Sequence, residues 1–317
     1  MTETASFAER IRARYPEGLT GVFSPGGTRT TFLLEHQRNQ ENPGAIPDFA
    51  EYANYGFDRL FDLVQIFFDL GGQNLIVPLF SYQGFYERGP EYAEHAARLC
   101  LTVIDKSKVD FYERNNIDPY LVGIDTLHHL PEDQFAHQLG REFKDFQSNW
   151  SYQEGRRKII WEVAPIPLFS FWRAGQVMGE QEQLAFEASL EQSTDLRDMH
   201  DKLYRYYARA VYGTDIPMPQ FYLGSNRNGD IKLRSMLPLA MVCGGPFRMF
   251  LTPYPSLFTT HEVMQAVLED LAFGKPLRST KIDYSGQITA DLLEAEYQRV
   301  LQVSSDPNTI LGMVRKT

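Results

Sequence analysis

Apolar residues follow two rhythms along this chain: short unbroken runs, and long stretches at helical spacing. Residues 19–23 (LTGVF) are a predicted strand that stops at Pro25-Gly26-Gly27. Phe57, Leu60, Phe61, Val64, Phe67 and Phe68 then recur three and four residues apart. That spacing predicts a helix over 49–70, ended by Gly71-Gly72. Residues 74–80 (NLIVPLF) are nearly all apolar, as in a strand covered on both faces. A helical pattern returns over 91–115, and 120–124 (YLVGI) is the next buried strand. Strands are also predicted over 159–163, 220–224 and 248–252, and helices over 180–211, 260–273 and 290–303. The polar stretch 131–155 reads as an insertion or flexible segment within a single α/β domain spanning 1–317.

Alternating strands and helices with continuous apolar strands predict an α/β fold, a mostly parallel central sheet flanked by helices. Ligands of such sheets sit outside the carboxyl ends of the strands. Three predicted strands end in glycine-rich or polar loops: Phe23 into SPGGTR, Phe80 into SYQGFYERG, and Leu223 into GSNRNGDIKLR. These loops are expected to converge on one side. Their cations are Arg29, Arg88, Arg227, Lys232 and Arg234.

Composition narrows the ligand. With 31 Lys+Arg against 41 Asp+Glu the formal charge is −10, which argues against non-specific nucleic-acid binding. No apolar run approaches the ~20 residues that span a bilayer, and the N-terminal stretch has no apolar signal core. The two cysteines, Cys100 and Cys243, exclude a disulfide scaffold, and a reduced cytoplasm is the expected compartment.

Ser24-Pro25-Gly26-Gly27-Thr28-Arg29 has the chemistry of an anion cradle. Glycines let backbone N–H groups approach an anion, a threonine adds a hydroxyl, and an arginine adds a two-pronged charge. A tight turn with a surface arginine is the plainer reading. The sequence is neither a Walker loop nor G-x-G-x-x-G. The stretch from Gly224 to Asp230 lacks the carboxylates of a calcium loop, and its cations suit a second anion or a solvated hairpin. His128, His129, Glu132 and His137 match no zinc spacing. Arg156-Arg157-Lys158 reads as the solvated start of a strand or as a gate for an anionic ligand. No G-x-S-x-G elbow is present. Tyr52 and Tyr55 are packing residues or catalysts on the first long helix, and Asp58 and Asp62 are reserve carboxylates there.

In combination, the ordered loops resemble those of the cis-prenyltransferase fold. The diterpene synthases of that fold, of the tuberculosinyl transferase and kolavelool synthase type, are more similar still. The matching segments are FSPGGTRTTFLLE, IVPLFSYQGFYERGPEY, VDFYERNNIDPYLVGID, MFLTPYPSLFTTHEVMQAVLEDL and IDYSGQITADLLEAEYQ. The resemblance implies an enzyme that ionises an allylic, bicyclic C20 prenyl diphosphate, with water capturing the carbocation to give a diterpene alcohol. It also implies Mg2+, a homodimer and a small-molecule isoprenoid diphosphate substrate. By position, Gly26, Gly27, Thr28, Arg29 and Arg88 bind diphosphate, with Arg227, Lys232 and Arg234 at the late loop. Tyr52 falls near the reacting carbon, and Arg29 and Tyr52 are the implied catalytic pair.

The chain departs from that pattern at several positions. Gly26 stands where the family has a metal-handling aspartate, Thr30 replaces a second arginine, and Tyr82 and Gln83 replace paired aspartates. Asp230 is the remaining metal candidate in the late loop. Transfer to a second acceptor, such as a nucleoside or prenyl diphosphate, and a catalytically silent diphosphate-binding subunit are the alternatives.

Overall fold

A computed structural model describes residues 5–37, 48–81, 89–177, 179–225, 248–274 and 290–304. Six strands form one parallel sheet: β1 (Thr20–Phe23), β2 (Asn74–Phe80), β3 (Ile117–Val122), β4 (Arg157–Val163), β5 (Phe221–Ser225) and β6 (Arg248–Thr252). Their order is β3-β4-β2-β1-β5-β6, with every neighbouring pair parallel. The strands that lead into the three predicted loops, β2, β1 and β5, are adjacent, so those loops leave one edge together. Close approach at the centre depends on Gly21 of β1: a Cβ there would lie 2.6 Å from the Phe221 ring of β5.

The described helices are α1 (Phe7–Arg14), α2 (Thr28–Phe32), α3 (Phe49–Asp69), α4 (Pro90–Cys100), α5 (Lys106–Arg114), α6 (Ile124–His128) and α7 (Phe135–Asn149). After β4 come α8 (Pro167–Val177), α9 (Glu180–Glu191), α10 (Leu196–Tyr212), α11 (His261–Phe273) and α12 (Ala290–Ser304). One sheet face is covered by α3 and its neighbours, with Phe67, Phe143, Trp161 and Leu223 fully buried. The other lies under α10, with Tyr204, Ile160 and Tyr222 buried. No described helix is long and apolar enough to cross a membrane.

Several elements differ from the sequence expectation. The helix expected over 91–115 is broken by a 3-10 turn, Leu101–Ile104, and by Asp105 in an extended conformation, which buries Val103. The helix expected over 180–211 stops after Glu191 and restarts where Asp195 caps the N–H groups of Arg197 and Asp198. β3 starts three residues early and ends at Gly123 (φ +103°), where a Cβ would lie 1.8 Å from the Val163 carbonyl. The stretch 131–155, read as an insertion or flexible segment, contains α7. Its Phe135, Leu139, Phe143 and Phe146 form one apolar stripe, with Leu139 and Phe143 fully buried. α1 was not expected; a capping box sets its start, Ser6 and Glu9 satisfying each other's backbone N–H groups.

Candidate active site

β1 delivers its loop between two neighbours. Ser24 N–H donates to the Leu223 carbonyl of β5 at 2.9 Å, extending the strand pairing by one residue. The chain then turns at Gly26 and Gly27, and Ser256, on a 3-10 turn after β6 (Ser256–Phe258), holds the turn in place. Gly26 N–H donates to Ser256 Oγ at 2.7 Å, Ser256 Oγ donates to the Ser24 carbonyl at 3.1 Å, and Ser256 N–H donates to the Gly26 carbonyl at 3.1 Å. Ser256 is fully buried. Sequence reasoning assigned it no role, although it lies within the resembling segment MFLTPYPSLFTTHEV. No local pattern links a serine to a glycine 230 residues away.

Gly27 is the N-cap of α2 and has left-handed geometry (φ +73°, ψ 26°), which a glycine adopts without steric penalty. No side chain caps α2. Its first-turn N–H groups, with Arg29 exposed in the same turn, have the chemistry to accept an anion at the carboxyl edge of the sheet. The neighbouring α3 differs: the Asp48 carboxylate already accepts from Ala50 and Glu51 N–H at 2.8 and 3.1 Å.

Thr28 Oγ1 and the Tyr52 hydroxyl share a hydrogen bond of 2.8 Å. The fold thus brings together Gly26, Gly27, Thr28, Arg29 and Tyr52, taken from two elements 24 residues apart. Aromatic rings continue from this point. Phe32 meets Tyr52 edge-on at 5.5 Å and Tyr55 at 5.7 Å, and stacks on His36 at 5.1 Å. Phe49 lies 5.6 Å from Tyr52, 5.5 Å from His95 and 6.4 Å from Tyr92. A polar turn and a wall of π faces therefore adjoin one another. Tyr92 and His95, both on α4, had no part in the sequence-based site.

Arg88, Arg227, Asp230, Lys232 and Arg234 lie outside the described residues, as does Cys243. The last described positions before those loops, Ser81 and Ser225, lie at the carboxyl ends of the strands flanking β1. Other candidates fall away from the site. Asp58 is exposed and pairs with Lys108 at 2.6 Å, and Asp62 is exposed on the same helix. Arg157 and Lys158 open β4 and so lie at the opposite, amino edge of the parallel sheet. Arg156 there pairs with the buried Asp118. That stretch cannot gate a ligand at the carboxyl edge. His137 Nδ1 is bonded to the Leu130 carbonyl, with the His128 ring 5.3 Å from its own. Burial pushes the Cys100 thiol up to about 12, so it stays protonated and is no nucleophile.

Among the described residues no group of three or more His, Cys, Asp or Glu side chains is placed to hold a metal ion. At the loop itself Gly26 offers no ligand, and a Cβ there would meet Ser225 Oγ at 2.2 Å. These residues do not fit a protein-held magnesium ion.

No protein-family model matches the chain. Over 282 residues it is 23% identical to a (+)-kolavelool synthase from Herpetosiphon aurantiacus, covering 86% of this chain and 83% of that protein. Lavandulyl diphosphate synthase from Lavandula x intermedia, solved in complex with dimethylallyl diphosphate, superposes with a TM-score of 0.51 at 13% identity. That superposition covers 81% of this chain and 96% of the other, and it shows a shared cis-prenyltransferase fold. A probable undecaprenyl diphosphate synthase from Campylobacter jejuni has 12% identity and a TM-score of 0.44, over 82% of this chain and 98% of that one.

Proposed function

We propose that this chain is an enzyme that ionises an allylic C20 prenyl diphosphate of bicyclic skeleton and lets water capture the carbocation, giving a diterpene alcohol and diphosphate. The observation that carries this reading is the 2.8 Å hydrogen bond joining Thr28, on the uncapped glycine turn, to Tyr52, beside the aromatic wall. The similarity to a kolavelool synthase supports it.

In this mechanism the allylic C–O bond breaks and its electron pair leaves with the diphosphate. The α2 first-turn N–H groups and Arg29 face the growing negative charge, a pre-aimed arrangement that needs no reorganisation during the step. The resemblance assigns Arg88, Arg227, Lys232 and Arg234, which lie outside the described residues, to the same anion. The part-exposed rings of Phe49 and Tyr52 face the allyl cation, each worth up to ~2 kcal/mol when desolvated, with the buried Phe32 ring packed behind Tyr52. Tyr52, fixed by Thr28, orients the water. The water oxygen forms the new C–O bond and its proton passes to the departing diphosphate, so atoms and charge balance. A free tyrosine hydroxyl has a pKa near ~10, so the diphosphate oxygens are the better base.

The test is incubation of purified protein with linear and bicyclic C15 and C20 allylic diphosphates, with and without Mg2+, followed by mass spectrometry of the products. A hydroxylated C20 product is expected. A prenylated adduct formed only with an added nucleoside or prenyl diphosphate would assign transfer instead, and binding without turnover would assign a silent subunit. The family resemblance adds a homodimer, which sedimentation of the purified chain tests, and the cysteine usage adds a cytoplasmic location.

A further inference from the structure

α2 continues without a break into a π-helical turn, Leu33–Gln37. This run and α3 are joined at three successive levels. Thr28 meets Tyr52, Phe32 meets Tyr52 and Tyr55, and Glu35 meets Tyr55 and Arg59. Contacts that advance together on both segments mean that the two run side by side in the same direction away from the site. At the third level Arg59 Nη2 donates to both Glu35 oxygens at 2.8 Å, and the Tyr55 hydroxyl donates to Glu35 Oε2. The His36 ring adds an edge-on contact with Tyr55 at 4.5 Å.

The spacing is equal on the two segments. Glu35 follows Thr28 by seven residues and Arg59 follows Tyr52 by seven. Each offset is about 10 Å along a helix at ~1.5 Å per residue. A two-pronged bond at that distance fixes how far one segment can slide along the other. It thereby fixes whether Thr28 Oγ1 reaches the Tyr52 hydroxyl. The π turn matters because its wider winding re-aims the side chains that follow it, and such turns recur at functional sites. Burial alone would raise the Glu35 carboxyl, but the Arg59 and Tyr55 hydrogen bonds outweigh it and hold the group below its usual range. Arg59 is raised in turn, chiefly by its bond to Glu35. The ion pair is half-exposed, and such pairs add little to folding stability, so a role in geometry is the better account of it.

We infer that Glu35 and Arg59 are positioning residues: their two-pronged pair sets the axial register of α2 against α3, and through it the Thr28–Tyr52 hydrogen bond. The inference rests on the proposed function and deepens it, because it names groups outside the site on which turnover depends.

The test uses the full chain and four variants: Arg59→Met, Glu35→Gln, Tyr52→Phe and the double change Arg59→Met with Tyr52→Phe. For each, kcat, KM and melting temperature are measured with the allylic diphosphate that the unaltered chain turns over. Arg59→Met is expected to lower kcat roughly tenfold with KM changed less than about threefold, the signature of a lost transition-state arrangement. Glu35→Gln should fall between the unaltered chain and Arg59→Met, since the amide oxygen still accepts one of these bonds while the amide NH2 cannot accept the others. In the Tyr52→Phe background, Arg59→Met should add less than about twofold, because residues acting through one group are non-additive. Equal fold-losses in both backgrounds overturn the inference. So does Glu35→Gln as damaging as Arg59→Met, or a Tyr52→Phe chain as fast as the unaltered one. If Arg59→Met does not fold, Arg59→Ala carries the same cycle, since it also removes the donor to Glu35. An unaltered chain that turns over no allylic diphosphate overturns the proposed function and this inference together, a result distinct from additivity.

Discussion

Replacing Ser256 by alanine tests whether the glycine turn is held from a distance. The hydroxyl accepts from Gly26 N–H at 2.7 Å and donates to the Ser24 carbonyl at 3.1 Å, and both Ser256 and Ser24 are buried. Alanine leaves the part-buried Gly26 N–H and the buried Ser24 carbonyl without the hydroxyl that pairs them. Each such loss costs roughly 1–3 kcal/mol, so about 2–4 kcal/mol together after partial relaxation. For a chain of 317 residues, an unfolding entropy of ~2.1 cal/mol/K per residue converts this to a fall in Tm of roughly 3–6 °C. The turn also loses the hydroxyl half of its anchor, so affinity for inorganic diphosphate should fall about tenfold for each ~1.4 kcal/mol of lost preorganisation. Differential scanning fluorimetry and isothermal titration with diphosphate measure the two effects. Leu139→Ala is the control. It empties a fully buried position of α7 and should cost about 2–5 kcal/mol without touching the loop. If Ser256→Ala binds diphosphate as well as that control does, or leaves Tm within about 1 °C, the two hydroxyl hydrogen bonds do not hold the turn.

Arg29→Ala should remove most turnover while leaving Tm unchanged, because the side chain is exposed; activity within a few-fold of the unaltered chain would reject the first loop as the diphosphate site. Tyr52→Phe removes the bond to Thr28 but keeps the ring. It is expected to slow turnover or shift products from alcohol to olefin, which gas chromatography with mass spectrometry detects, and an unchanged rate and product ratio would take Tyr52 out of the mechanism. Cys100, held protonated by burial, should resist alkylation at pH 8 in the native chain and react once the chain is unfolded, as peptide mapping would show.

Much of the architecture follows from local chemistry. The run NLIVPLF forms β2 over the residues that its apolar character marks, and the alternation of apolar runs with helical periods leads to a parallel sheet. The glycine loop after β1 is legible for the same reason, since Gly27 must take a left-handed turn and Thr28 and Arg29 carry hydroxyl and charge. Tyr52 reached the site by resemblance rather than by periodicity, for a tyrosine on an amphipathic helix looks the same whether it packs or reacts. Where apolar spacing is sparse, as in α7, or where a helix breaks at a cap, as at Asp195, the pattern over a window blurs.

The sequence by itself determined where the strands and the long helix after β1 lie, because backbone preference and burial pattern act over a few residues. Only the tertiary structure decided that Ser256 anchors Gly26, that Tyr52 meets Thr28, and that Glu35 and Arg59 set the register of two helices. Those contacts join residues from 24 to 230 positions apart, and their existence depends on strand order and helix placement. Order and placement are set by how the whole apolar surface is buried at once, and no short stretch of chain contains that information.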